Sequence, residues 1–300
     1  MLLIISEIEA YHIDALRPIF EQSLASDPDN LFVLIQQDLT NQYTLNQLIT
    51  HLEHIYGTSQ KIIEKQNIST QVTVILNDLD YDFKHAAKSW STVFYTSKVN
   101  PKMIPNAYIQ HISAHEMIKI ESDLSDISSS KINKLPNPDT LYKEIPIVAV
   151  GGTFDHLHDG HKILLTAAIF LAKKTLIIGV TGHELLKNKK YLEYLESYDT
   201  RVGRVRELLK NVRPGFIPDV YEINDVCGPT AKIEDIDALV VSMESSKGAT
   251  FVNKVRSDLG WKKLNVYTIS VVGGSDPESF EDKLSSTAFR EQEYLKNHPT

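Results

Sequence analysis

The chain has 300 residues, 42% of them apolar, enough for the core of one large domain or two ordinary ones. A formal net charge of −8 argues against a nonspecific nucleic-acid binder, which needs a basic footprint, but not against ATP binding by local lysines. One cysteine, Cys227, excludes both an internal disulfide framework and a zinc site of several cysteines.

The apolar run Leu2–Ile5 is followed at once by Glu7 and Glu9. It is too short, and lacks the basic flank, for a secretory signal. No stretch approaches the roughly 20 apolar residues that span a bilayer. These features read as a cytoplasmic protein without membrane insertion. Leu31–Ile35 and Val72–Leu76 predict strands, and Leu45–Tyr56 has helical spacing. Residues 1–120 therefore read as a smaller α/β domain. They carry no phosphate loop, catalytic pair or metal spacing, and no simple internal repeat shows.

Residues 121–143 are rich in Ser, Asp, Asn and Pro, which is linker chemistry. Residues 144–300 then alternate. Ile147–Val150 predicts a buried strand ending at Gly151-Gly152. His161–Lys174 predicts a buried helix, apolar on all sides. Thr175–Thr181, Val220–Ile223, Ala238–Met243 and Val266–Val272 predict strands. Thr200–Val212 and Ala249–Leu259 predict helices, stopped at Pro214-Gly215 and Gly260. Strands alternating with helices imply a Rossmann-like α/β fold with a parallel sheet covered on both faces.

The chemistry concentrates between the first of these strands and its helix, in Gly151-Gly152-Thr153-Phe154-Asp155-His156-Leu157-His158-Asp159-Gly160-His161. In a parallel sheet this is the carboxyl end of a strand, where ligands bind. The glycines let the backbone turn and approach a ligand closely. His158 and His161, three apart, share one side of the first helical turn. The helix N-terminus offers unpaired N–H groups and partial positive charge to a phosphate. The same two histidines with Asp155 could be a metal trio, but no further spacing supports one. The glycines do not form a G-x-G-x-x-G dinucleotide fingerprint.

Two more segments stand out. Lys283-Leu284-Ser285-Ser286-Thr287-Ala288-Phe289-Arg290 has N-cap chemistry before a final helix, and its hydroxyls could also hold phosphate. Lys187-Asn188-Lys189-Lys190 follows a strand at the same sheet edge, so it is either a solvated face or an anion seat.

Together GGTFDHLHDGH and KLSSTAFR resemble the hallmarks of the HxGH nucleotidyltransferase superfamily. The chain also carries Glu184–Lys189, Tyr198–Val202, Gly228-Pro229-Thr230 and Val241–Gly248. These segments are similar to the eukaryotic-type phosphopantetheine adenylyltransferase family, including the adenylyltransferase part of coenzyme A synthase. The resemblance covers about Ile145 to Leu295. Bacterial enzymes of this activity usually have Thr at the first motif histidine, where this chain has His158. Leu284 replaces an Ile, which is harmless.

The resemblance implies adenylyl transfer from ATP to 4′-phosphopantetheine, giving dephospho-coenzyme A and pyrophosphate. It implies catalytic roles for His161, His158, Lys187, Lys189 and Arg290, with either Lys187 or Lys189 bridging the phosphates. It implies nucleotide binding by Gly151, Gly152, Phe154, His158, Gly160, Ser242, Glu244, Lys247, Gly248, Ser285, Ser286 and Thr287. Thr153 and Lys187 would take the substrate phosphate. Mg²⁺ would arrive on ATP, with no metal ligand from the protein. Association with other enzymes of coenzyme A synthesis is compatible with the sequence. Cytidylyltransferases of the superfamily usually carry RTEGIST, and nicotinamide mononucleotide adenylyltransferases GSFNP; this chain has neither. A non-catalytic scaffold on the same fold would be marked by a lost His or Lys, and all are present.

Overall fold

A computed structural model of the chain describes residues 1–10, 12–36, 43–76, 90–100, 117–121, 140–269 and 285–298. Most of the expected linker, 122–139, lies outside the described residues, as do residues 270–272 of the last expected strand. The chain divides into two units. The first holds Met1–Tyr43, Gln47–Leu135 and Lys210–Phe216; the second holds Thr44–Asn46, Pro136–Leu209 and Ile217–Thr300.

The first unit runs β1 (Leu2–Ser6), a helical turn (Glu7–Ala10), α1 (Ile13–Ser23), β2 (Asn30–Gln36), α2 (Leu45–Gln66), β3 (Gln71–Ile75), β4 (Val93–Thr96) and β5 (Met117–Ile120). Its five strands pair in parallel in the order β3-β2-β1-β4-β5. β1 and β2 are buried almost throughout, as continuous apolar runs in a covered parallel sheet should be. On one face Leu2, Ile4, Phe32 and Leu34 pack with Ile75, Trp90, Val93 and Val99.

The second unit runs β6 (Ile145–Gly152), α3 (Asp159–Leu171), β7 (Ala172–Thr181), α4 (Tyr198–Val212), β8 (Asp219–Ile223), β9 (Ala238–Ser242), α5 (Ser246–Asp258), β10 (Asn265–Ile269) and α6 (Ser286–Asn297). The sheet order is β10-β9-β6-β7-β8, again all parallel. α3 buries every residue except His161, because its sequence is apolar around the whole circumference. It stops at Leu171 rather than Lys174. β7 starts at once at Ala172, and Lys173 and Lys174 are exposed strand residues. Ala149, Ile177, Leu239 and Val241 pack against Ala249 and Val252 of α5.

The chain order of the strands reverses between β6 and β9, which lie side by side with Val150 opposite Val240. Open parallel sheets bind ligands in the crevice at such a reversal, outside the strands' carboxyl ends. Gly152 ends β6 and Ser242 ends β9, so the two loops that leave these strands flank that crevice.

Candidate active site

The loop from β6 to α3 is the core of the site. Phe154 (φ 53°) and His156 (φ 45°) both take the left-handed conformation, which costs non-glycine residues free energy and persists where surroundings enforce it. The Phe154 ring is wholly buried beneath Gly152, where an added Cβ would come within 3.0 Å of it. Its edge meets His161, with ring centroids 5.4 Å apart. The resemblance implied that Phe154 binds nucleotide; the structure shows its side chain supporting His161 from below. His156 donates its N–H to Glu196 Oε2 at 2.8 Å, and its Nε2 lies 2.9 Å from Tyr194 O.

His158 is the extended N-cap residue of α3, and His161 follows in the first turn. Their rings stack with centroids 3.9 Å apart. Burial lowers the His158 pKa to about 4. Burial, and then the neighbouring His158, hold His161 well below the ordinary histidine range. Both imidazoles are therefore neutral near pH 7. Each Nδ1 is buried without a hydrogen-bond partner. A neutral ring with nothing to donate to from Nδ1 keeps its proton on Nε2, and so offers an Nε2–H donor to a ligand.

The C-terminal helix α6 is locked onto this loop. Asp155, fully buried, accepts the Glu196 N–H at Oδ1 (2.9 Å) and pairs through Oδ2 with the Arg290 guanidinium. Ser286 Oγ donates to Asp155 O at 2.8 Å. Arg290 also donates to Lys190 O at 3.0 Å and to Thr287 Oγ1 at 3.1 Å. Phe289 lies parallel to His158 with ring centroids 6.1 Å apart. Ser285 caps α6 by accepting the Ala288 N–H at 3.1 Å. The Ser286 hydroxyl thus ties α6 to the loop, while those of Ser285 and Thr287 bond within α6, whose first-turn N–H groups are the natural seat for an anion. Arg290, implied as catalytic, is buried and held by Asp155, Lys190 O and Thr287 Oγ1. Asp155 is likewise turned to Arg290 and Glu196, not toward the histidines as a third metal ligand.

Lys187 is exposed and pairs with Glu184 at 2.6 Å; Lys189 and Lys190 are also exposed. Arg290 and the Tyr191–Glu291 hydrogen bond (2.9 Å) anchor the end of this lysine loop to α6. In the loop after β9, Ser242 Oγ donates to Ser245 Oγ at 3.2 Å, Glu244 and Lys247 are exposed, and Gly248 is half-buried in the first turn of α5. Gly151, Gly152 and Thr153 are half-buried, and Gly160 is buried at the start of α3.

Arg201 lies in the Tyr198–Val202 segment that carries the resemblance, but the sequence assigned it no role. Its buried guanidinium donates to Thr153 O at 2.7 Å, Thr181 O at 2.9 Å and Glu196 O at 3.2 Å. It ties together the ends of β6 and β7 and the entry to α4. Arg256 does comparable work for the Gly228-Pro229-Thr230 turn, donating to Thr230 O at 2.7 Å and Ile233 O at 3.1 Å. Gly228 is required there: its φ is +48°, and a Cβ would sit 2.5 Å from Ile223.

Among the described residues, no trio of His, Cys, Asp or Glu is arranged to hold a metal, and no helix is long and apolar enough to cross a membrane. The Cytidylyltransferase-like family matches residues 149–292. The phosphopantetheine adenylyltransferase of Saccharomyces cerevisiae is 34% identical over 252 residues, covering 81% of this chain and 77% of the yeast protein. An uncharacterised protein of Schizosaccharomyces pombe is 31% identical over 266 residues, 84% of this chain and 81% of that one. The phosphopantetheine adenylyltransferase of Pyrococcus abyssi is 39% identical over 145 residues, 48% of this chain and 87% of the archaeal protein. With the histidine pair at the strand reversal, these matches place the chain: it belongs to the phosphopantetheine adenylyltransferase family of nucleotidyltransferases.

Proposed function

We propose that this enzyme transfers the adenylyl group of ATP to the phosphate of 4′-phosphopantetheine, giving dephospho-coenzyme A and pyrophosphate. The observation that carries the reading is the stacked, neutral His158–His161 pair, with both Nδ1 atoms buried, at the N-terminus of α3.

The acceptor phosphate has a second pKa of about 6, so it is largely ionised at neutral pH and needs no general base. Its oxygen attacks the α-phosphorus, and the bond to the β-phosphate oxygen breaks. The protein's task is to align the two phosphates and to stabilise charge on the departing pyrophosphate. His161 donates its Nε2–H toward the α-phosphate, and His158 toward the phosphates beside it. Thr153, held by Arg201, orients the acceptor phosphate. Lys187 or Lys189 bridges acceptor and α-phosphate. The first-turn N–H groups of α6, at Ser286 and Thr287, receive the β- and γ-oxygens. The loop Ser242–Gly248, on the β9 side of the crevice, takes the nucleoside.

Mg²⁺ carried on ATP would take no ligand from this chain and would supply neutralisation of phosphate charge. The side chains named above act on the phosphate oxygens directly. We place the enzyme in the cytoplasm, in keeping with its free thiol, Cys227.

The test is His161→Ala. The variant should fold and lose about a hundredfold or more in turnover, the scale for one charge-stabilising donor. Near-normal turnover in a folded variant would remove His161 from the reaction.

A further inference from the structure

The two units share more than class. Each sheet places its first strand beside its second and fourth, giving β3-β2-β1-β4-β5 in one and β8-β7-β6-β9-β10 in the other. Many open α/β sheets have this order. The turn after the first strand adds what the order lacks. β1 ends at Ser6 and α1 begins at Ile13; β6 ends at Gly152 and α3 begins at Asp159, the same interval. Three residues beyond each strand stands a fully buried acid, Glu9 in one unit and Asp155 in the other. Three further on stands a histidine as the extended N-cap of the helix, His12 (φ −119°) and His158 (φ −100°). Neither side chain makes a cap hydrogen bond. The repeat that the sequence concealed is therefore present in the fold.

We propose that residues 1–120 are a second copy of the nucleotidyltransferase fold whose phosphate seat is closed by its own carboxylate, Glu9, so that this unit binds no nucleoside triphosphate.

Three features make the closure. First, His158-Asp159-Gly160-His161 is matched by His12-Ile13-Asp14-Ala15. The donor of His161 is replaced by a methyl group, and the glycine by an anion. Second, the crevice at the strand reversal is filled. Glu9 Oε2 accepts the Ser6 N–H and the Ser6 hydroxyl, both at 2.8 Å, and also the Thr96 hydroxyl. Ser6 ends β1 and Thr96 ends β4, the two strands that flank the reversal. The donors that could greet a phosphate are committed to a buried carboxylate. Third, the two buried acids are used differently. Asp155 turns to Arg290 and leaves the crevice of its own sheet to a ligand, whereas Glu9 spans the crevice itself.

The equivalence of His12 and His158 gives a direct test on the full-length chain. MgATP binding is measured by calorimetry, and pyrophosphate release with 4′-phosphopantetheine is measured alongside. The unaltered chain should bind one ATP. His12→Ala, at a half-buried cap without a side-chain bond, should leave stoichiometry intact and turnover within about twofold. His158→Ala should lower turnover by about a hundredfold or more, the loss expected for a phosphate-holding donor. Two ATP per chain, or a loss of stoichiometry or of tenfold or more in turnover in His12→Ala, would overturn the proposal. Absence of any ATP binding would instead sink the adenylyltransferase reading, while agreeing with a closed first unit.

Discussion

Asp155 and Arg290, separated by 135 residues, meet as an ion pair that is almost completely withdrawn from water. The pair joins the loop after β6 to the C-terminal helix α6, and so sets the position of Phe289 over His158 and of the α6 N-terminus beside the motif. Breaking a buried pair by removing one partner strands a charge, at a cost of about 3–5 kcal/mol. Arg290→Ala should therefore lose stability on that scale and lose turnover, because α6 no longer docks. Denaturant unfolding and steady-state kinetics of Arg290→Ala, Asp155→Asn and the double variant check this. The double variant should be much less damaged than the sum of the two. Strict additivity would show that the residues act separately.

The histidine pair fixes a pH dependence. Burial holds the folded-state pKa of His158 at about 4, below the ordinary value of 6.5, and lowers that of His161 as well. Between those values the unfolded chain binds more protons than the folded one. Stability should therefore rise with pH across that window and be lost as pH falls from about 6.5 toward 4. His158→Gln/His161→Gln should flatten the lower part of the curve. The neutral rings already donate Nε2–H, so binding of the ATP phosphates should draw few protons from buffer near pH 7. Calorimetry of ATP binding near pH 7 in buffers of different ionisation enthalpy reads this; a full proton taken up per ATP would contradict the neutral pair.

Much of this site was legible in the sequence because its chemistry is contiguous. Gly151 to His161 supplies the turn, the helix start and both imidazoles in one run. The pairing of Asp155 with Arg290, and the reach of Arg201 to Thr153 and Thr181, are tertiary facts without a local signature. Most strands of the second unit were legible for a similar reason, as apolar runs; β8, DVYEI, is the exception and carries two acids. In the first unit β1, β4 and β5 were not. β1 is a five-residue run at the chain start, β4 has four residues, and Met117 and Ile118 of β5 are exposed. The likeness of the two units was hidden because it rests on one acid, one histidine and an interval.

Arg201 should act on the reaction through Thr153. Its fork reaches two carbonyls from one nitrogen, which a lysine ammonium on a flexible stem reproduces poorly. Arg201→Lys should fold and lose turnover by about tenfold or more through misplacement of the acceptor phosphate, with a smaller change in the KM for ATP. Equal losses in Arg201→Lys and Arg201→Ala confined to stability, with turnover intact in the folded fraction, would make the residue structural only.

The lysine loop should show one strong and one weak position. The pair of Lys187 with Glu184 is exposed, and such pairs contribute about 0–1 kcal/mol, too little to keep Lys187 from a phosphate. Lys187→Ala and Lys189→Ala should differ in turnover by about tenfold or more, since one ammonium bridges the phosphates and the other stays in water. Small, equal effects would return the run to a solvated face.

The two substrates define the enzyme. The most direct measurement is a competition in which ATP and CTP are each offered 4′-phosphopantetheine, glycerol 3-phosphate and choline phosphate, with nucleotide products identified by mass. The geometry and the family predict dephospho-coenzyme A from ATP and 4′-phosphopantetheine as the dominant product. Choice of base rests on hydrogen bonds to its edge, and each mismatched buried group costs about 1–3 kcal/mol. Faster cytidylyl transfer to either small phosphate would contradict the assignment.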